Sequence, residues 1–269
     1  MPNLIHGDCL KVLPTLEEKS VDLVVTSPPY NLGIKYKSFE DNAARSEFLN
    51  WCRAWATEVK RVMTDGASFF LNVGAAPANP LMPHQLVLAL TDDDEPLLVL
   101  QNTFHWVKSI TVETREGDPI SAGHFKPINS KRFVNDCHEY VFHLTKTGKV
   151  PIDRKAAGVP YVHKSNIDRW GHTDGEDLRC RGNTWFIPYD TIRSREGQRP
   201  HPATFPVALA ERCIQLHGKG AETCMLDPFL GIGSSALAAD RAGIAQFTGI
   251  ELDEDYLEVA KERLQVAKS

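Results

Sequence analysis

The amino-acid sequence predicts an α/β fold: one doubly wound, mostly parallel sheet with helices on both faces and an inserted region in its second half. Three observations carry this expectation. Short apolar runs rich in Val, Leu, Ile and Phe alternate with stretches of helical spacing along the 269 residues, as buried parallel strands joined by crossover helices do. Two of those runs end in stiff polar turns, Thr26-Ser27-Pro28-Pro29-Tyr30 and Asp227-Pro228-Phe229-Leu230-Gly231-Ile232-Gly233, at the strand ends where such sheets hold ligands. One stretch, from about Val150 to Arg199, breaks the alternation.

In chain order, strands are expected at Leu4–Ile5, Val21–Thr26, Ala67–Val73, Leu97–Trp106 and Glu139–Leu144, with helices at Cys9–Leu16, Ala44–Met63 and Pro83–Leu90. The last third continues with a helix at Pro206–His217, a strand at Thr223–Leu226, a helix at Ser234–Ala242, a strand at Gln246–Ile250 and a helix at Asp255–Val266. Trp51 and Trp55, four apart, belong on one core-facing helix side, and Asp253 reads as the N-cap of the last helix. The chain thus divides into 1–149, which carries the Pro-Pro turn, an inserted stretch 150–199, and 200–269, which carries the glycine turn.

The first turn suggests chemistry. Two prolines fix their φ angles and remove two backbone donors, leaving carbonyl oxygens free. Ser27 Oγ and the Pro28 carbonyl then form an acceptor pair beside the Tyr30 ring. A planar NH2 group, such as a nucleobase's exocyclic amine, has two hydrogens for such a pair, and accepting both helps localise its lone pair for attack on a methyl group. Tyr30 can stack on the base at about 1–3 kcal/mol. At the second turn Gly231 and Gly233 allow close backbone approach, and Ser234 and Ser235 open a helix whose first amides face the turn. Glu251 ends the next strand 18 residues after Gly233, about where a Rossmann-like fold places the carboxylate that binds ribose hydroxyls. The absence of a third glycine at Ser234-Ser235-Ala236 disfavours a dinucleotide.

With these motifs in this order, the chain resembles the amino-group DNA methyltransferases of the circularly permuted beta arrangement, in which the catalytic motif precedes the cofactor motif. Gly7-Asp8-Cys9 is similar to that family's N-terminal block, and His201-Pro202-Ala203-Thr204-Phe205-Pro206 to its HP-x-x-x-P motif, so the resemblance spans nearly the whole chain. It implies a circularly permuted, S-adenosyl-L-methionine-dependent methyltransferase fold acting on double-stranded DNA. It assigns catalysis to Ser27, Pro28, Pro29 and Tyr30. Cofactor binding falls to Asp8, Cys9, Thr26, His201, Ala203, Thr204, Phe205, Asp227, Pro228, Phe229, Gly231, Gly233, Ser234, Ser235, Glu251 and Leu252. In that family Asp at the first position of the Pro-Pro-Tyr motif is typical of adenine-N6 enzymes and Ser of cytosine-N4 enzymes. Ser27 therefore implies methylation of N4 on a flipped-out cytosine, with adenine N6 as the alternative. An inactive DNA-binding relative would lose Ser27 or Glu251, and an RNA or protein amide methyltransferase would carry its motifs in the other order. The family often dimerises; a homodimer and a partner restriction endonuclease stay open.

Composition sets outer bounds. A chain of this length with 42% hydrophobic residues buries one substantial core without room for a nuclease domain. It shows no signal-like start and no bilayer-length apolar run, so a cytoplasmic, stand-alone enzyme is expected. The cysteines at 9, 52, 137, 180, 213 and 224 have no ligand spacing and none follows a proline. Disulfides, a metal site and a Pro-Cys nucleophile for cytosine carbon methylation are therefore not expected.

The net charge of -5 argues against a nucleic-acid partner until its distribution is considered. From Lys108 to Arg199 there are 16 Lys and Arg against 12 Asp and Glu, a net of +4, and the remainder holds 14 against 23. Either ordinary charge scatter or a DNA surface fits that segment. Within the latter reading Lys164, Arg169, Arg179, Arg181 and Trp185 are the candidate contacts, Arg for base edges or phosphates and Trp for the gap beside a flipped base. Asn31 and Tyr36 belong to the loop 31–42, which reads either as a cover over the target or as plain surface.

Overall fold

The computed structural model describes residues 2–34, 37–77, 79–92, 96–114, 117–123, 129–169, 173, 175–188, 204–218, 220 and 222–267. Its first half contains β1 (Asn3–His6), α1 (Cys9–Val12), β2 (Val21–Thr26), α2 (Arg45–Val62), β3 (Met63–Val73), α3 (Met82–Thr91) and β4 (Val99–Val107). There follow β5 (Ser109–Glu113), β6 (Pro119–Gly123), β7 (His138–Thr145), α4 (Ser165–Arg169) and β8 (Thr184–Phe186). The chain closes with α5 (Val207–His217), β9 (Cys224–Asp227), α6 (Ser234–Arg241), β10 (Gln246–Glu251) and α7 (Glu254–Val266).

Eight strands form one sheet in the order β1-β10-β9-β2-β3-β7-β4-β8. Only β7 runs against its neighbours β3 and β4; the other pairings are parallel. The N-terminal strand β1 thus lies beside the C-terminal strand β10, as a permuted chain requires. Strand alternation divides the core in two. Leu23, Val25, Phe70 and Met225 face a cluster completed by α5, α6 and α7. Val24, Phe69, Leu71 and Leu226 face one completed by α1, α2 and α3. The longest helix, α2, buries Phe48, Cys52, Trp55, Ala56, Val59 and Val62, spacings of three and four that keep one stripe on the sheet.

The sequence-derived elements are present with small changes. The expected helix from Cys9 to Leu16 is α-helical only to Val12, after which Leu13–Thr15 tightens into a 3-10 turn, because Pro14 cannot donate to the helical ladder. The β5–β6 hairpin was not anticipated. The inserted stretch is not a separate layer over its described residues: β8 extends the main sheet beside β4, and Trp185 and Ile187 enter the first core cluster. No helix among the described residues is long and apolar enough to cross a membrane.

From β2 the chain passes through α2 to β3 on one side, and from β9 through α6 to β10 on the other. The carboxyl ends of β2 and β9 therefore flank the point where the winding reverses, the place where open α/β sheets bind ligands.

Candidate active site

Both polar turns leave the sheet at this reversal and are stapled together. Thr26 Oγ1 donates to Asp227 Oδ1 at 2.5 Å, Phe229 N donates to the same oxygen at 3.0 Å, and Ser235 Oγ donates to Oδ2. Asp227 is fully buried, and burial pushes its carboxyl up to about 6 although all three bonds oppose that rise. Here Asp227, Thr26 and Ser235 frame the site from beneath. Gly233 belongs to the same frame, with φ at +81° and a position where a Cβ would approach the Ala260 Cβ to 2.9 Å, so only glycine lets α6 start against α7.

Above the staple lies a cleft of about 200 Å³. It is walled by Ser27, Pro28, Pro29 and Tyr30 from the first turn, and by Asp8, Cys9, Thr204, Phe205, Pro228, Phe229, Gly231, Ser234, Glu251 and Leu252 from the expected cofactor set. Thr26, Asp227, Gly233 and Ser235 do not reach its surface. His201, Ala203 and Tyr36 lie outside the described residues.

Glu251 accepts from Gly231 N at 2.7 Å and Asp253 N at 2.9 Å. These bonds aim its carboxylate and leave lone pairs for hydroxyl donors, while burial raises its pKa. Asp8 caps α1 by accepting from Leu10 N at 3.0 Å. Cys9 is buried and its thiol is pushed up to about 12, first by desolvation and then by Asp8, so it is a wall and not a nucleophile. Carboxylates beside aromatic surfaces suit a cationic, ribose-bearing ligand such as S-adenosylmethionine.

The loop after the Pro-Pro-Tyr turn closes one side. Buried Asp41 accepts from the backbone N–H groups of Asn31, Leu32 and Ile34 at 2.6, 3.0 and 3.1 Å, and Asn31 Nδ2 donates to Ala43 O at 2.9 Å. Asn31 thus helps to build the loop and remains partly exposed. Ser38 Oγ donates to Asp253 Oδ2 at 2.7 Å, joining the loop to α7. Phe39 packs 5.3 Å from Trp51, which lies 5.5 Å from Phe229. Ser38 and Phe39 line this side of the cleft. Trp51, expected in the core with Trp55, lines the cleft, whereas Trp55 is fully buried.

A polar network that the sequence did not reveal lies behind Ser27. Its Oγ is 2.5 Å from Tyr30 OH. Asn72 Nδ2 reaches Tyr30 OH at 2.6 Å and Glu139 Oε2 at 2.7 Å, Tyr30 OH donates to Glu139 Oε2 at 3.2 Å, and Lys108 Nζ pairs with Glu139 Oε1 at 3.0 Å. Asn72 interrupts the otherwise apolar run Phe69–Val73, and Glu139 stands near the start of β7, just before Tyr140-Val141-Phe142; a polar residue in or beside such a run is the available signal.

The candidate DNA contacts divide. Lys164, Arg169, Arg179 and Arg181 are exposed, with Lys164 paired to Asp177 and Arg181 Nε donating to Ala157 O at 2.9 Å. Trp185 is a correction. It is 1% exposed and stacks on Phe104 at 4.3 Å, because alternation along β8 turns it inward and turns Phe186 outward.

Comparison with known proteins gives this geometry a family. The N6/N4 methyltransferase profile, described as DNA methylase, matches residues 21–262. The Type II methyltransferase M.ScaI of Streptomyces caespitosus is 31% identical over 97% of this chain and 81% of its own. The DNA adenine methyltransferase YhdJ of Escherichia coli K12 is 27% identical over 98% of this chain and 83% of its own. Among solved structures, the PvuII DNA methyltransferase, titled cytosine-N4-specific, superposes with a TM-score of 0.71 at 21% identity, covering 97% of this chain and 85% of that one. The M1.HpyAVI–SAM complex gives 0.61 at 18% identity, covering 98% and 100%. With the Pro-Pro-Tyr turn and the glycine turn meeting at the reversal of one permuted sheet, this chain belongs to the N6/N4 DNA methylase family and is an S-adenosylmethionine-dependent DNA amino-methyltransferase.

Proposed function

We propose that the chain is a site-specific DNA methyltransferase acting on N4 of a flipped-out cytosine. The observation that carries this is Ser27 at the mouth of the cleft, in the position where the adenine enzymes of the family typically hold Asp. Its hydroxyl and the Pro28 carbonyl accept from the two amine hydrogens, drawing the nitrogen lone pair out of the ring and toward the donor. S-adenosylmethionine, when bound, would supply an electrophilic methyl group on sulfur, and the amine would release one of its two protons on accepting it. Glu251 would hold the ribose hydroxyls, Asp8 and Phe229 would flank the nucleoside, and Thr204 and Phe205 would meet the methionine end. Buried Asp227, through Thr26 and Ser235, fixes the distance between the two turns, so that amine and methyl meet in a near-attack geometry. The exposed Lys164, Arg169, Arg179 and Arg181 of the inserted stretch contact the duplex.

Adenine N6 is the second reading, favoured by the name of the YhdJ relative. Nucleoside mass spectrometry of DNA from cells expressing the protein decides between them. N4-methylcytosine is the expected product; N6-methyladenine alone would overturn the assignment of the base.

A further inference from the structure

We propose that Glu139 is a positioning residue for methyl transfer: acting through Tyr30, it commits the Ser27 hydroxyl to accept from the target amine. This rests on the reading of Ser27 as that amine's acceptor. The hydroxyls of Ser27 and Tyr30 lie 2.5 Å apart, with room for one hydrogen between them, and either could supply it. The groups behind Tyr30 decide which. Glu139 Oε2, 3.2 Å from Tyr30 OH, only accepts, and Asn72 Nδ2, 2.6 Å away, only donates. The single phenolic hydrogen therefore goes to the carboxylate, the charge-assisted choice, and the phenolic lone pairs accept from Asn72 and Ser27. With its hydrogen given to Tyr30 and one lone pair facing Asn72 Nδ2 at 3.4 Å, Ser27 presents its remaining lone pair to the cleft.

Two further features keep this polarity. Lys108 Nζ, 3.0 Å from Oε1, pairs the carboxylate where its side chain is 10% exposed. Gly74 makes the close approach feasible, since a Cβ there would lie 3.0 Å from both Glu139 Cδ and Tyr30 Cε2. Without the carboxylate, the Tyr30 hydrogen turns to Ser27, and the Ser27 hydrogen turns into the cleft against the amine's own hydrogens. The acceptor becomes a donor facing a donor.

A double-mutant cycle with Glu139→Gln and Tyr30→Phe, read by single-turnover DNA methylation at saturating cofactor, tests this. In Glu139→Gln, Lys108 offers only donors, so it draws the amide oxygen and leaves the NH2 toward Tyr30. Each single variant should lose about 10- to 100-fold in rate, with cofactor and DNA dissociation constants within about twofold of wild type. The double variant should be no slower than the slower single, because both remove one device. Additive losses, a wild-type rate in Glu139→Gln, or weakened cofactor binding as the main effect would overturn the proposal. Should Glu139→Gln fail to fold, Tyr30→Phe is read alone: a wild-type rate refutes the proposal, and the stated loss at unchanged affinities supports it. Ser27→Ala run alongside separates the two ideas. An active Ser27→Ala enzyme refutes the acceptor reading itself, whereas an inactive one beside a full-rate Glu139→Gln refutes only the role of Glu139.

Discussion

Asp227 and Glu251 end adjacent strands and meet opposite surroundings. Asp227 spends its oxygens on Thr26, Ser235 and Phe229 within the protein, while Glu251 is aimed at the cleft by two backbone amides. The same residue-by-residue accounting applies to Trp185, whose ring stacks on Phe104 and whose Nε1 donates to Gly182 O at 3.1 Å. Trp185→Ala should therefore cost about 3–5 kcal/mol of stability, read from urea midpoints, without changing the DNA affinity of the folded fraction. A selective loss of DNA affinity at unchanged stability would return Trp185 to the interface. An Arg- and Asn-rich neighbourhood suggested nucleic acid for this residue, and three-residue β8 is too short for its alternation to be read from sequence. Asn72 and Glu139 were hidden differently: 67 positions separate them, and only the β3–β7 pairing brings them together.

Elements were more legible than contacts. Apolar runs and helical spacing located the crossover helices and the long strands, since burial on both sheet faces leaves a continuous hydrophobic signal. The antiparallel direction of β7 and the β5–β6 hairpin left no comparable mark, because apolar spacing does not encode strand direction and the hairpin is exposed throughout Ile110–Glu113 and β6. Arg179 is exposed beside the Val159–Arg179 bridge, and Arg179→Ala should lower the slope of log binding constant against log salt by about 0.9, as loss of one phosphate contact does. Cofactor affinity should not change. An unaltered slope in DNA titrations at several salt concentrations would place the phosphate contacts elsewhere.

Two buried groups act against each other in acid. Burial raises Asp227 from 3.8 to about 6, so between those values the folded chain holds a proton that the unfolded chain has released. This contribution to stability is present below about 3.8 and lost as pH rises through about 6. Burial lowers His143, stacked on Phe70, from 6.5 to about 4, so in that window the unfolded chain binds the extra proton. That contribution is present above 6.5 and lost as pH falls through about 4. Each amounts to about 3 kcal/mol, and they largely cancel between pH 4 and 6. Asp227→Asn should then lose stability on acidification from 6.5 to 4.5 more steeply than wild type, and His143→Gln should gain relative to it. Urea midpoints measured across that range with parallel pH slopes in all three proteins would contradict this balance.

We infer that the two turns meeting at the sheet reversal do separate jobs, one on the amine and one on the cofactor. Calorimetric titration of Ser27→Ala and Glu251→Ala with S-adenosylmethionine, paired with single-turnover methylation at saturating cofactor, tests it most directly. Ser27→Ala should bind cofactor within about twofold of wild type, the change expected for a group that makes no charge-assisted bond to it, and lose methyl transfer. Glu251→Ala should bind it about 10- to 150-fold more weakly, the loss expected for charge-assisted bonds to the ribose hydroxyls, and recover much of its transfer rate once saturated. Loss of cofactor binding in Ser27→Ala, with binding retained in Glu251→Ala, would contradict the assignment.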